Sequence, residues 1–313
     1  MRDHKYLTVF FSILGLLVII SYLLVKAVDI PKAKPLPYDS NLSETTNGKY
    51  FSLYDQQGHL ILQTGLPVQI GDEYYNEDNR HYLVTRIVGQ RGEMRLLSRQ
   101  LSSLPLASLS LTQTAMAADD IHVVIYHTHT DESYQPTDKV STQRGNGSIM
   151  KVGTSLTNSL RENGISVYHS FVRHDPHDIN AYHRSRKTVF QLLKQQPDAI
   201  LDIHRDSSPA KYFYSEVNSV PIAKVMLVIG RQNTHMATNL KFAKEVNAMG
   251  KKMYPGLIQG IFMAHGNYNQ DLYPTALLIE IGTDTLPREM AENSASVMSD
   301  VITATLKARA GQD

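Results

Sequence analysis

Residues His122–Tyr134 read HVVIYHTHTDESY. An apolar run of strand length, His122–Tyr126, passes with no turn residue into a run of imidazoles, hydroxyls and carboxylates. A short apolar run bounded in this way predicts a buried strand. Open α/β sheets collect their ligands beyond the carboxyl ends of the strands, so the polar run that follows falls where chemistry belongs.

Outward from this stretch, strand-length apolar runs alternate with segments of helical length. The strands expected are His122–Tyr126, Ile165–Tyr168, Ala199–Ile203, Val225–Ile229 and Ala276–Ile281. Apolar residues at helical spacing predict helices over Ile149–Asn163, Tyr182–Gln195 and Thr238–Met253, with Gly164 and Pro197 as stops near two of them, and a last helix over Pro287–Lys307. The alternation predicts an α/β fold: an open, mostly parallel sheet with helices on both faces.

Upstream the character changes. Tyr6–Val25 is an uncharged apolar run of about the ~20 residues a helix needs to cross hydrocarbon. It is longer than the apolar core of a cleaved signal peptide and Lys26 follows it, so 6–25 is expected to be a retained transmembrane anchor. The short head before it and the long body after it favour translocation of the body, although Arg2 and Lys5 on one side and Lys26, Lys32 and Lys34 on the other leave the charge rule undecided. Residues 26–48, rich in Pro, Ser, Asn and Thr, read as a linker. Residues 49–97, short apolar-aromatic runs broken at Gln57-Gly58, Gly71-Asp72 and Asp78-Asn79, read as a small β-rich module. Residues 98–120, rich in Ser and Leu, read as a second linker before an α/β domain over 121–313.

The chain has 313 residues and no cysteine, which excludes disulfides, thiolate metal sites and a cysteine nucleophile. Its net charge of +1, from 31 basic and 30 acidic residues, offers no clustered charge for a nucleic-acid partner. Of the 13 histidines, all but His4, His59 and His81 lie between His122 and His265.

Three segments are expected to converge on one sheet edge: His127–Tyr134 after the first strand, His204-Arg205-Asp206-Ser207 after the third, and Glu280 within the last. Two imidazoles and a carboxylate make a suitable shell for a catalytic zinc, leaving a position for water. One or two of His127, His129 and Glu132 suffice from the loop; a lone loop histidine is otherwise a surface or capping group. His204, at the end of an apolar strand, is a ligand or else a core imidazole bonded to backbone. Arg205 and Asp206 orient a ligand, hold substrate, or form an ordinary ion pair. Glu280 is the sharpest residue, because a carboxylate between Ile279 and Ile281 costs several kcal/mol to bury unpaired. It reads as a general base and acid, as a ligand, or as one half of a salt bridge, for instance to Arg205. His174-Asp175 and His177-Asp178 read as a cap or a cleft wall, and the loop with His265 as a shaping element. Ser133 or Ser207 as a hydrolase nucleophile finds no support, since neither lies in a G-x-S-x-G elbow.

IYHTHTDESYQP (Ile125–Pro136), LDIHRDS (Leu201–Ser207), YPGLIQGI (Tyr254–Ile261) and YNQDLYPTALLIEIG (Tyr268–Gly282) resemble, in order, the motifs of the sporulation stage II protein P family. The motifs span 121–301; none covers 49–97. The resemblance implies a membrane-anchored, zinc-dependent N-acetylmuramoyl-L-alanine amidase of endospore formers with a zinc-amidase-like fold. Its substrate would be peptidoglycan, with peptide cross-links as a second target, a lytic transglycosylase as partner and an extracytoplasmic catalytic domain. Position by position it implies zinc ligation by His129, Glu132 and His204, proton transfer by Glu280 and a site role for Arg205. His127 lies where the family does not require histidine. The competing class is a wall-binding scaffold on the same fold whose metal site has lapsed.

Overall fold

The computed structural model describes residues 49–99, 121–178 and 180–311. The anchor expected at 6–25, the linker at 26–48 and the second linker beyond Arg99 lie outside the described residues.

Thirteen strands are described: β1 (Phe51–Tyr54), β2 (Leu60–Thr64), β3 (Glu73–Asn76), β4 (Arg80–Val88), β5 (Arg91–Arg99), β6 (His122–Tyr126), β7 (Ser166–His169), β8 (Ala199–Asp206), β9 (Tyr214–Val217), β10 (Val220–Ala223), β11 (Val225–Gly230), β12 (Ile258–Ala264) and β13 (Ala276–Thr283). Four longer helices accompany them: α1 (Ile149–Glu162), α2 (Ala181–Leu192), α3 (Met236–Met253) and α4 (Arg288–Ala310). All the strands but β9 and β10 form one sheet in the order β2-β1-β5-β4-β3-β12-β11-β13-β8-β6-β7, and β9 and β10 make a separate hairpin. Every residue of β8, β11, β12 and β13 is buried, as expected of strands covered on both faces.

The helices form for the reasons their spacing suggests. In α1, Ile149, Val152, Leu156 and Leu160 recur on one stripe and are buried. They join the cluster that holds Val123 and Ile125 of β6 and Leu201 and Ile203 of β8. The alternate residues of the same strands, Val124, Tyr126 and Ile200, pack on Val189 and Leu192 of α2. Helices therefore cover both faces, and the α2 face is the one on which Asp202 and His204 of β8 lie.

Within the α/β part the sheet is mostly parallel, as expected, with one antiparallel junction; taken together with the β-rich segment the whole sheet is mixed. β7, β6, β8 and β13 run parallel, but β13 is antiparallel to β11, and β12 is antiparallel to β3. Two connections reverse the chain, one from β8 through the β9–β10 hairpin to β11 and one from β12 to β13. A parallel return needs a crossover, usually a helix, whereas β12 reaches β13 through a loop whose only helical part is the single turn Gln270–Leu272. The chain reverses, and β11 and β12 point away from the edge at which β6, β8 and β13 end. Strand β12 begins within the YPGLIQGI motif, continues beyond it to Ala264, and was not among the strands expected.

The β-rich segment is five strands long, and its β3 pairs directly with β12, Ile261 opposite Tyr75 and Phe262 opposite Tyr74. One sheet thus runs through both segments, and the described residues belong to a single compact unit.

Candidate active site

The parallel register of β8 and β13 sets Glu280 directly beside His204, on the same face as Asp202 and Leu278. Beyond β6, the polar loop folds back over that face. Glu132 Oε1 accepts a hydrogen bond from His204 Nδ1 at 3.3 Å, and Oε2 accepts the Arg205 backbone N–H at 3.0 Å. The His129 ring meets that of His204 edge-on, with centroids 5.3 Å apart. His129, Glu132, His204 and Glu280 are all buried. The fold therefore brings together the four residues singled out in the sequence, from three segments.

A fifth group joins them. Asp202, two residues before His204 on the same face, accepts from Thr128 N–H at 2.8 Å and Thr128 Oγ1–H at 2.6 Å. Its Oδ1 lies 3.0 Å from His204 Nε2, within ion-pair reach but without hydrogen-bond alignment. Burial pulls the His204 pKa down, and the Asp202 and Glu132 carboxylates outweigh that and hold it well above the usual imidazole value. Asp202 also ties the loop to α2, because Thr128 Oγ1 bonds Ser185 Oγ and Asn269 Nδ2 donates to Ser185 Oγ. The signal for Asp202 was present in the D-x-H alternation of a buried strand.

Arg205 is buried, and its guanidinium donates to the Ser133 and Ser141 carbonyls, 4.0 Å from Glu132 Oε1. It holds the loop that carries Glu132. Asp206 points elsewhere, accepting Thr64 Oγ1–H at 2.5 Å and Gly65 N–H at 2.8 Å.

His127 stands apart from the cluster. Its Nδ1–H donates to Ile203 O at 2.8 Å and its Nε2 lies 2.9 Å from His169 Nε2. Helix α1 passes so close that a Cβ on Gly153 would fall 2.6 Å from His127 Nε2, so only glycine fits there. Burial, then the neighbouring His169, keeps His127 well below the ordinary imidazole pKa. His174 is equally structural, bonded to His127 O at 2.7 Å and Thr188 Oγ1 at 2.8 Å. His265 lies by Asp72 and Arg231, outside the cluster. Neither serine alternative is set as a nucleophile: Ser133 Oγ accepts the Ser148 N–H, and Ser207 packs against Gly65. A surface groove lined by His122, Arg161, Tyr168 and Gln195 opens at the far end of β6, away from the site.

The donor set of His129, Glu132 and His204, nitrogen and oxygen ligands without thiolate, fits zinc in chemistry. In the structure Glu132 is engaged with His204, and among the described residues no three His, Asp or Glu side chains converge in a coordination geometry.

Comparison with known proteins places these features in a wider group. A family model described as Stage II sporulation protein P matches residues 72–303. A Stage II sporulation protein P of Bacillus subtilis (strain 168) is 30% identical over 198 residues, covering 57% of this chain and 49% of the relative. The match thus spans about half the length of that curated relative. Among solved structures, the CwlD amidase from Clostridioides difficile in complex with the GerS lipoprotein is similar with a TM-score of 0.43 and 13% identity, over 62% of this chain and 100% of that one. The N-acetylmuramyl-L-alanine amidase Ami1 from Mycobacterium smegmatis is similar with a TM-score of 0.40 and 15% identity, over 62% and 98%.

Proposed function

Because the chain belongs to the Stage II sporulation protein P family, we propose that it is a peptidoglycan hydrolase of spore formation. The bond cut is the amide between N-acetylmuramic acid and the L-alanine of the stem peptide, with peptide cross-links as a second target. The reading is carried by one observation: Glu132, His204 and Glu280 lie buried together on one sheet face, with the His129 ring against that of His204. Buried acidic and imidazole groups in such number are costly unless a site uses them.

His129, Glu132 and His204 would hold zinc, which when bound supplies Lewis-acid activation of the scissile carbonyl and of water. Glu280 takes a proton from the attacking water as the new C–O bond forms. It returns that proton to the L-alanine nitrogen as the C–N bond breaks. Arg205 keeps Glu132 in place through its backbone N–H and through the loop carbonyls it binds. Asp202, 3.0 Å from His204 Nε2, holds the His204 ring by charge, in the position a carboxylate takes beside a ligating imidazole. Residues 6–25 would anchor the chain in the cell membrane with the α/β part outside, thinning the septal wall alongside a lytic transglycosylase.

The test is digestion of purified sacculi by the full chain. Glu280→Gln should lower the release of stem peptides by about 10²–10⁴-fold, the range lost with a positioned acid–base group, and chelation should abolish it. Undiminished digestion in both cases would refute the assignment. Sacculus binding without release would favour the scaffold.

A further inference from the structure

The loop after β7 brings a residue into the site that the amidase chemistry does not use. His177 lies flat on His129, ring centroids 3.8 Å apart and planes inclined by 9°. Its Nδ1–H donates to Asp131 Oδ1 at 3.0 Å, and both side chains are almost fully buried, 7% and 4% exposed. The other sides of the His129 ring are met edge-on by Tyr182, at 5.5 Å and 83°, and by His204, at 5.3 Å and 85°. With a parallel ring on one face and two perpendicular rings packed beside it, the His129 imidazole has a single plane available. Parallel stacked rings direct their nitrogens into separate planes, so His177 is a wall for His129 and not a co-ligand.

The wall is itself fixed. Asp175 Oδ1 accepts Thr130 Oγ1–H at 3.2 Å and Oδ2 accepts Gly145 N–H at 3.0 Å. His174 N–H donates to Thr130 Oγ1 at 3.1 Å. Arg184 on α2 binds the His174 and Pro176 carbonyls and the Asp178 carboxylate. Each bond ties the 174–178 segment either to the loop that carries His129 or to the helix beside it.

We propose that Asp131 and His177 form a positioning pair that presets the His129 ring for metal ligation. The inference rests on the zinc reading above. Groups that orient ligating histidines are worth about 10–100-fold in metal affinity.

The experiment measures zinc affinity of the full chain by competition with a chromophoric chelator, with circular dichroism and thermal unfolding of the metal-free protein run in parallel. His177→Ala removes both the stack and the Asp131 bond and should weaken zinc binding by at least about tenfold. His177→Phe keeps a flat ring and loses only the bond; if His177→Ala does not fold, His177→Phe decides, and a loss of at least about threefold is expected. A smaller loss in the deciding variant overturns the positioning role. Parent protein that takes up no stoichiometric zinc overturns instead the zinc reading beneath it.

Discussion

Three histidines near the site are held neutral by their surroundings. Burial, with a smaller push from Arg161, brings His169 down to about 4, and burial lowers His127 and His174 as well. In the unfolded chain each titrates near about 6.5. Between about pH 6.5 and 4 the unfolded chain therefore binds protons that the folded chain refuses, and stability falls as pH falls. For His169 alone the loss is on the order of 3 kcal/mol at the lower end of that window. Urea denaturation should show a midpoint that drops from pH 7 to pH 4, and His169→Gln should flatten the drop; an unchanged slope would refute the buried neutral imidazole. At this scale much of the site was legible. His129, Glu132 and His204 follow or end apolar strands, and Glu280 is a carboxylate inside one, so position and cost of burial pointed to them. His177 was not legible as a partner of His129, because a stack depends on the path of a loop that no periodicity describes. Asp202 was passed over as a neighbour of His204, although the two-residue period of a strand puts both on one face.

Among the elements, β8 is the one on which the site depends, and it is held at its end by β2. Asp206 accepts bonds from Thr64 and Gly65, and a Cβ on Gly65 would lie 2.0 Å from Ser207 Oγ and 3.0 Å from its Cβ. Gly65→Ala should cost about 1–3 kcal/mol, the usual range for overpacking a close contact, read as a lower thermal midpoint; a midpoint equal to the parent's would show that the approach is looser than described. The strands of the α/β part were legible as apolar runs, save β12 and the β9–β10 hairpin. Their mostly parallel direction was legible too, but the one antiparallel junction, β11 against β13, was not, because it follows from connections: the chain reverses between β8 and β11 and again between β12 and β13. The β9–β10 hairpin turns at Asn218 and Ser219, both at positive φ, 52° and 65°. Asparagine tolerates that region, a turn signal present in the sequence and unused.

Across the whole molecule, the segment once separated at 49–97 continues the sheet of the α/β part. Tyr74 of β3 is buried and donates through its hydroxyl to Gln259 O at 2.7 Å. Removing residues 49–99 would uncover the β12 edge and its unpaired backbone groups, a template for aggregation. A chain without them should be less stable and prone to associate, by light scattering and thermal unfolding; a monomeric fragment with the parent midpoint would show that the two parts are independent. The central claim is that this sheet face hydrolyses the amide between glycan and stem peptide. Mass spectrometry of purified sacculi digested by the full chain, with new amino groups labelled, tests it most directly. The account predicts newly freed L-alanine amino termini and glycan strands stripped of stems. Stems still attached to muramic acid, with new amino termini at cross-links alone or none at all, would contradict it.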